Sequence, residues 1–319
     1  MLGTVILLNR LKFMRNTSLF ALLLISILTV SCDFLNEEPK VNKIVFVGDL
    51  LLDRGVRERI EYLGIHSLFH STIDSVFRES DIVIANLECP ATEIEEPINK
   101  KFIFRADPEW LTVLKEHKIT HLNMANNHSM DQGRKGLVDT KMNIVKSGLI
   151  PLGFGDNLKE ACKGQLIASY PRKVYVFSSL QVPSENWPFL EDKPCVCEDS
   201  FDSIAKRIKK LRAIESNSVI IVQLHWGAEH TIKPLTSQKQ QAYALIDSGA
   251  DVIIGHHTHT IQSIEFYKGK PIYYSIGNFI FDQSNPINSK GLIVQIEITK
   301  TKLLCKEITF DIKNCMPKL

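Results

Sequence analysis

The chain has 319 residues, 44% of them hydrophobic and 23% charged, with a formal net charge of +2. That is a globular balance with enough apolar material for a sizeable core, and length alone allows one large domain or two small ones. Lysines and arginines are spread along the sequence, with no basic run interleaved with aromatics, so nucleic-acid binding has no support.

The first element is N-terminal. From Met14 the sequence reads "MRNTSLFALLLISILTVSC": one basic residue, Arg15, an apolar stretch from Leu19 to Val30, then Ser31 and Cys32. A charged start, a short apolar stretch and a small residue at its end make a secretory signal. The stretch is short for a membrane-spanning helix, which takes about 20 residues. Cysteine directly after the small residue resembles a bacterial lipoprotein lipobox, with Thr29 where leucine is usual. The expectation is a signal over residues 1–31, lipid on Cys32, a polar tether over 32–42 and a domain over 43–315. The protein would then be exported and membrane-anchored in the cell envelope; an ordinary transmembrane anchor is the alternative. Six cysteines follow Cys32, and an exported chain with an even count can form disulfides. Cys195-Val-Cys197 has no companion pair at zinc-ribbon spacing, so the cysteines read as incidental or as one or two bridges.

Five apolar runs follow, each ending in polar groups: "KIVFVGD" (43–49), "DIVIANLE" (81–88), "KITHLNMANN" (118–127), "SVIIVQLHWG" (218–227) and "DVIIGHHTH" (251–259). Continuous apolar runs predict strands covered on both faces. Between them lie helical patterns. In "SIAKRIKKLRAI" the residues Ile204, Ile208, Leu211 and Ile214 fall on one helix face. "HSLFHSTIDSVFRES", "PEWLTVLKEHK", "KGLVDTKMNIVKSG" and "SQKQQAYALIDSG" behave alike, with Ser147-Gly148 and Ser248-Gly249 as stops. Strand–helix alternation predicts an α/β layered domain. The last third changes: Lys268-Gly269-Lys270 signals a hairpin, and "GLIVQIEIT" and "LCKEITFDIK" add strands without helices. A mixed or double sheet is expected.

The strand ends carry the chemistry, because sites in α/β sheets form at the carboxyl edge. They offer Asp49; Asn86 and Glu88; Asn127 and His128 with Asp131; His225 with Glu229; and His256, His257 and His259. Burying such groups unpartnered is costly, and a divalent cation satisfies carboxylates, imidazoles and a carboxamide oxygen together. In an extended "HTH", His257 and His259 point the same way and His256 faces away. His66, His70, His117 and His121 read as structural. "GNFIFDQ" places Asn278, Asp282 and Gln283 at a site wall, unless Gly277 and Asn278 simply form a turn. Arg54 either receives an anionic substrate or pairs with Asp53.

"VFVGDLLLDRG", "ANLECPAT", "ANNHSMDQG", "HWGAEH" and "GADVIIGHHTHTIQSIEFYKGKPIYYSIGNFIFDQ" resemble, in order and over roughly residues 43–299, the capsule-synthesis CapA family, associated with poly-γ-glutamate capsules. That family is related to calcineurin-like metallophosphoesterases. The resemblance implies a double β-sheet sandwich flanked by helices (αββα) and a centre for one or two divalent ions. Manganese, iron or zinc suits such nitrogen and oxygen ligands. Asp49 then matches the first aspartate, Glu88 the bridging acid, Asn127 the asparagine ligand, His225 the isolated histidine and His257 and His259 the closing pair. His128 matches the histidine that contacts the reacting group, with Asp131 beside it. Arg54, Asn86, Glu229 and Asn278 are candidates for contacting substrate. The sequence departs at Leu51, where a metal-binding histidine is usual, and at Glu88, where aspartate is usual; one firm and one weaker metal position are expected. Thr258 stands where the family commonly has proline, and His230 where it has an aromatic residue. The implied activity is a metal-dependent hydrolase or transferase acting on a phosphoester or γ-glutamyl amide. Its partners would be an anionic polymer, the membrane through a lipid anchor, and capsule-synthesis membrane proteins. The alternative is a non-catalytic, metal-containing surface lipoprotein that binds or scaffolds an anionic polymer.

Overall fold

A computed structural model describes residues 42–183 and 185–319. The signal segment, Cys32 and the tether up to residue 41 lie outside the described residues. The first strand, β1 (Asn42–Leu50), shows how the layers arise. Its side chains alternate between faces: Ile44 and Phe46 enter one apolar cluster, Val45 and Val47 another. A strand that feeds two cores must be covered on both sides, which is why its sequence is apolar throughout.

Three parallel partners follow: β2 (Ile82–Leu87), β3 (His121–Asn123) and β4 (Ile150–Leu152). Helices α1 (Gly55–Leu63), α2 (Ser71–Arg78), α3 (Trp110–Glu116) and α4 (Gly133–Lys146) pack on the outer face of these strands. Val56, Ile60, Ile73, Phe77, Leu111, Leu114, Leu137 and Ile144 supply the contact. The expected stop after α4 is present: Gly148 has φ +73° and donates its N–H to Val145 O at 2.9 Å.

A small pair, β5 (Phe154–Gly155) with β8 (Cys195–Val196), and a short helix, α5 (Leu158–Ala161), lie between the two halves in sequence. One bridge, Cys162–Cys197, closes this region across 35 residues, while Cys89, Cys195, Cys305 and Cys315 are free thiols.

The second sheet has β6 (Gln165–Ala168), β7 (Val174–Leu180), β9 (Val219–His225) and β10 (Val252–His256), with helices α6 (Phe201–Ile214) and α7 (Thr236–Asp247). Ile204 and Ile208 of α6 and Ala242 and Leu245 of α7 pack on Ile220, Val222 and Ile253. The opposite face presents Ile221, Val219, Val252 and Ile254 to Ile44, Phe46, Val294 and Ile296 of the first sheet. The predicted hairpin joins β11 (Ile264–Tyr267) to β12 (Lys270–Tyr273) through Lys268 and Gly269, both at positive φ, as a two-residue turn requires. Strands β13 (Asn278–Ile280), β14 (Lys290–Ile298), β15 (Leu303–Lys313) and β16 (Met316–Lys318) complete the first sheet.

The sheet orders are β16-β15-β14-β1-β2-β3-β4, with β13 also on β1, and β11-β12-β10-β9-β7-β6. Helix, sheet, sheet, helix: this is the αββα double-sheet sandwich expected from the sequence. Strand β1 changes neighbour midway, pairing antiparallel to β14 over Asn42–Phe46 and parallel to β13 at Asp49 and Leu50. Close backbone approach permits this: a Cβ on Gly48 would lie 1.9 Å from Gly277 O. No helix among the described residues is long and apolar enough to cross a membrane.

Candidate metal centre

The carboxyl ends of the central strands open on one side of the sandwich, and their polar residues meet there. Asp49 ends the straight part of β1 at a register shift against β2. Asn86 lies near the end of β2 and Glu88 just beyond it; Asn127 and His128 follow β3; His225 ends β9; His257 and His259 follow β10. Asp49, Asn86, Glu88 and His225 have no solvent exposure, and Asn127, His128, His257 and His259 are buried.

Two groups of ligand-type atoms form, each within 4.8 Å: Glu88, His225 and His257, and Asp49, Glu88 and His259. Glu88 belongs to both. In the first group His225 Nε2 lies 3.1 Å from His257 Nδ1 and 2.7 Å from Asn127 Oδ1, so the carboxamide joins as a fourth donor. In the second, Asp49 Oδ2 lies 3.3 Å from His259 Nδ1, and Glu88 Oε1 lies 3.8 Å from His259 Nε2. Leu51 is fully buried in the apolar cluster and contributes nothing to the site. The second group therefore has one donor fewer.

The fit of a cation is tested by Glu88. Both of its carboxylate oxygens are buried and accept no hydrogen bond. An unpaired buried carboxylate is among the costliest groups a fold can carry. Burial, and then the negative charges of Asp49 and Glu229, push its pKa well above the usual carboxylate range. A divalent ion held at these residues would reverse that sign. The imidazoles suit the same role. Burial, then the neighbouring His257, holds His225 far below the ordinary histidine value, and burial, then His259, brings His257 to about 4. Both therefore present lone pairs at neutral pH. Burial opposes ionisation of Asp49 too, but His256 and His259 outweigh it, so Asp49 remains a carboxylate.

Partners behind the ligands fix their orientation. Asn86 Nδ2 donates to Asp49 Oδ1 at 2.8 Å, and Asn278 Oδ1 lies 2.9 Å from His259 Nδ1. Asn86 and Asn278 thus hold ligands in place. His128 stands beside the first group, with Nδ1 2.7 Å from Asp131 Oδ2 and its ring stacked on Phe104 at 4.2 Å. That contact assigns the Nδ1 proton to the Asp131 side and leaves Nε2 as the exchanging nitrogen. Burial, against the pull of Asp131, lowers the His128 pKa.

Three expectations need correction. His256 does not face away from the site: its Nδ1 is 3.3 Å from Asp49 Oδ1, and it has no solvent exposure. The convergence of His257 and His259 does not come from strand alternation either. The strand ends at His256, and both residues take left-handed backbone, with φ 87° and 57°. Such φ values are uncommon for histidine and place strain at the site. The Arg54 guanidinium pairs with Asp282 rather than Asp53 and stays partly exposed: its Nε is 3.1 Å from Asp282 Oδ2, while Asp53 Oδ1 accepts the Arg54 backbone N–H at 2.8 Å. Its guanidinium lies 5.0 Å from the Phe104 ring and 5.4 Å from Phe281. Glu229 sits half-exposed beside His230 at 3.7 Å.

Sequence reasoning misses Lys100. Its side chain is 2% exposed, its Nζ is 2.9 Å from Asp131 Oδ1, and it donates to Asn127 O at 2.8 Å. One ammonium thus ties the segment carrying Asn127 and His128 to the loop before Phe104. A lysine in a polar, structureless stretch gives no signal of burial.

Residues 43–283 match the model of the family described as "Bacterial capsule synthesis protein PGA_cap". The PGA biosynthesis protein CapA of Bacillus subtilis is 33% identical over 88% of this chain and 76% of its own length. The capsule biosynthesis protein CapA of Bacillus anthracis is 30% identical over 82% of this chain, which spans 65% of that relative. A solved structure of a hypothetical protein from Thermus thermophilus shares the fold, with a TM-score of 0.52, 12% identity and coverage of 85% of this chain and 100% of that one. Matched over residues 43–283 by the family model and 33% identical to a CapA relative over 88% of its length, the chain belongs to the bacterial capsule synthesis protein family PGA_cap.

Proposed function

We propose that this protein is a metal-dependent hydrolase or transferase of the cell envelope that acts on an anionic polymer in poly-γ-glutamate capsule synthesis. The bond it attacks would be a γ-glutamyl amide or a phosphoester. One observation carries the reading: Glu88, buried with both oxygens unpartnered, stands between two groups of nitrogen and oxygen donors. The names of the B. subtilis and B. anthracis relatives support the capsule connection.

Asp49, Glu88, Asn127, His225, His257 and His259 would hold the ion or ions, manganese, iron or zinc by the donor set. When bound, the ion supplies Lewis-acid polarisation and a nucleophilic water near neutral pH. The chain's residues do the rest. Asp131, neutralised by Lys100, holds His128 through Nδ1, so that Nε2 exchanges a proton with the leaving group. The Phe104 ring fixes the plane of that imidazole. Arg54, already engaged by Asp282, lines the rim between Phe104 and Phe281 and orients substrate with the charge that remains. The lipid anchor at Cys32 and contact with capsule-synthesis membrane proteins belong to the same proposal. The Cys162–Cys197 bridge supports export, because disulfides persist in oxidising compartments.

The test is elemental analysis of protein purified without chelator, with turnover of oligo-γ-glutamate and a phosphodiester measured on the same sample. Bound metal, together with turnover lost in His257→Ala, is expected. Metal-free protein that cannot be loaded, or turnover indifferent to His257, would overturn the reading.

A further inference from the structure

Beside the second ligand group lies a cleft of about 310 Å³ lined by His230, Gln283, Ser284, Asn285 and Asn288. It is built onto the centre rather than placed by chance. Asn288 is 2% exposed, and its Nδ2 donates to His259 O at 2.8 Å. Gln283 Oε1 accepts from Asn278 Nδ2 at 3.0 Å, and Asn278 in turn lies against His259. The His230 ring stands 6.0 Å from the His259 ring. Whatever fills this cleft is therefore one side chain away from a metal ligand.

The lining is carboxamide, hydroxyl and imidazole, with no lysine, arginine or carboxylate. A subsite for a bare phosphate chain would carry arginine or lysine forks. Carboxamides instead match a secondary amide, offering one N–H donor and one C=O acceptor in the same plane. Gln283 Nε2 and Asn285 Nδ2 donate no hydrogen bond to any described residue, so both remain available to a ligand. The volume lies at the small end of the range for ligand sites, about 300–1,000 Å³.

We propose that this cleft is the subsite that holds the backbone amide of a γ-linked glutamate chain next to the metal centre, with the α-carboxylates left outside it. The proposal rests on the polymer reading above and narrows it to an amide-linked substrate.

The experiment measures binding to the full, metal-loaded chain by titration calorimetry. The two probes are a γ-linked oligoglutamate and a polyacrylate of equal charge, which has carboxylates and no amides. The oligoglutamate should bind at least about tenfold more tightly. Asn285→Ala removes the donor without adding charge, at the cost of the exposed contact in which Asn285 Oδ1 accepts Ile287 N–H at 3.3 Å. It should weaken the oligoglutamate by about three- to tenfold and leave the polyacrylate and the metal content unchanged. Equal binding of the two polymers, or an Asn285→Ala variant with unaltered oligoglutamate affinity, overturns the subsite alone. Protein that binds neither polymer yet hydrolyses a phosphodiester overturns the polymer reading as well.

Discussion

Replacing Glu88 by glutamine keeps the shape of the side chain and removes its charge. Without a cation, wild-type Glu88 is a burden: both oxygens are buried and accept no hydrogen bond, and Asp49 and Glu229 repel its ionised form. A buried polar group left unsatisfied costs about 1–3 kcal/mol. The glutamine amide can donate toward the Asp49 carboxylate and recover part of that. Glu88→Gln should therefore stabilise the metal-free protein by about 1–3 kcal/mol, raising its melting temperature by about 2–6 °C for a domain of this size. With metal the order reverses. A ligand at a hundred times its dissociation constant stabilises a protein by about 2.7 kcal/mol, and the variant forfeits most of that. Thermal melts of both proteins, in chelator and in saturating manganese, should cross. A variant that melts below the wild type in chelator as well would refute the idea that this carboxylate is held at a cost for the sake of a cation.

Two further outcomes can be checked away from the ligands. Reducing Cys162–Cys197, or replacing both cysteines by serine, opens a loop of 35 residues; urea denaturation should show a loss of about 4 kcal/mol by the chain-entropy relation. His121 is buried in β3, and burial lowers its pKa to about 4. Below about pH 6.5 the unfolded chain takes up a proton that the folded chain refuses, so stability present at pH 7 is lost as the pH falls. The loss from this group reaches about 3 kcal/mol at pH 4. Set against the wild type, His121→Leu should show a stability–pH slope shallower by that amount between pH 7 and 4; parallel slopes would show that His121 does not titrate in this way.

The layers were legible because runs such as Ile44–Val47 and Val252–Ile254 leave no polar face, and only a strand sandwiched on both sides tolerates that. The ligand residues were legible because each sits where such a run stops. How they converge was not. Left-handed backbone at His257 and His259 has no local sequence signal, since a positive φ is uncommon for residues other than glycine. The same holds for His256, assigned to the wrong side by extending a strand one step too far. Lys100 and Asp282 owe their roles to partners at Asp131 and Arg54, distant in sequence. The disulfide connectivity was likewise undetermined, since cysteine counts do not choose pairs.

The six donors divide evenly by origin: Asp49, Glu88 and Asn127 hang from one sheet, His225, His257 and His259 from the other. An ion held by donors of both sheets would act as a clasp across the seam of the sandwich. Hydrocarbon packing joins the rest of the seam, whereas this margin would be fastened only while the clasp is shut. Loaded with metal, that rim would gain a stiffness that the metal-free protein lacks there.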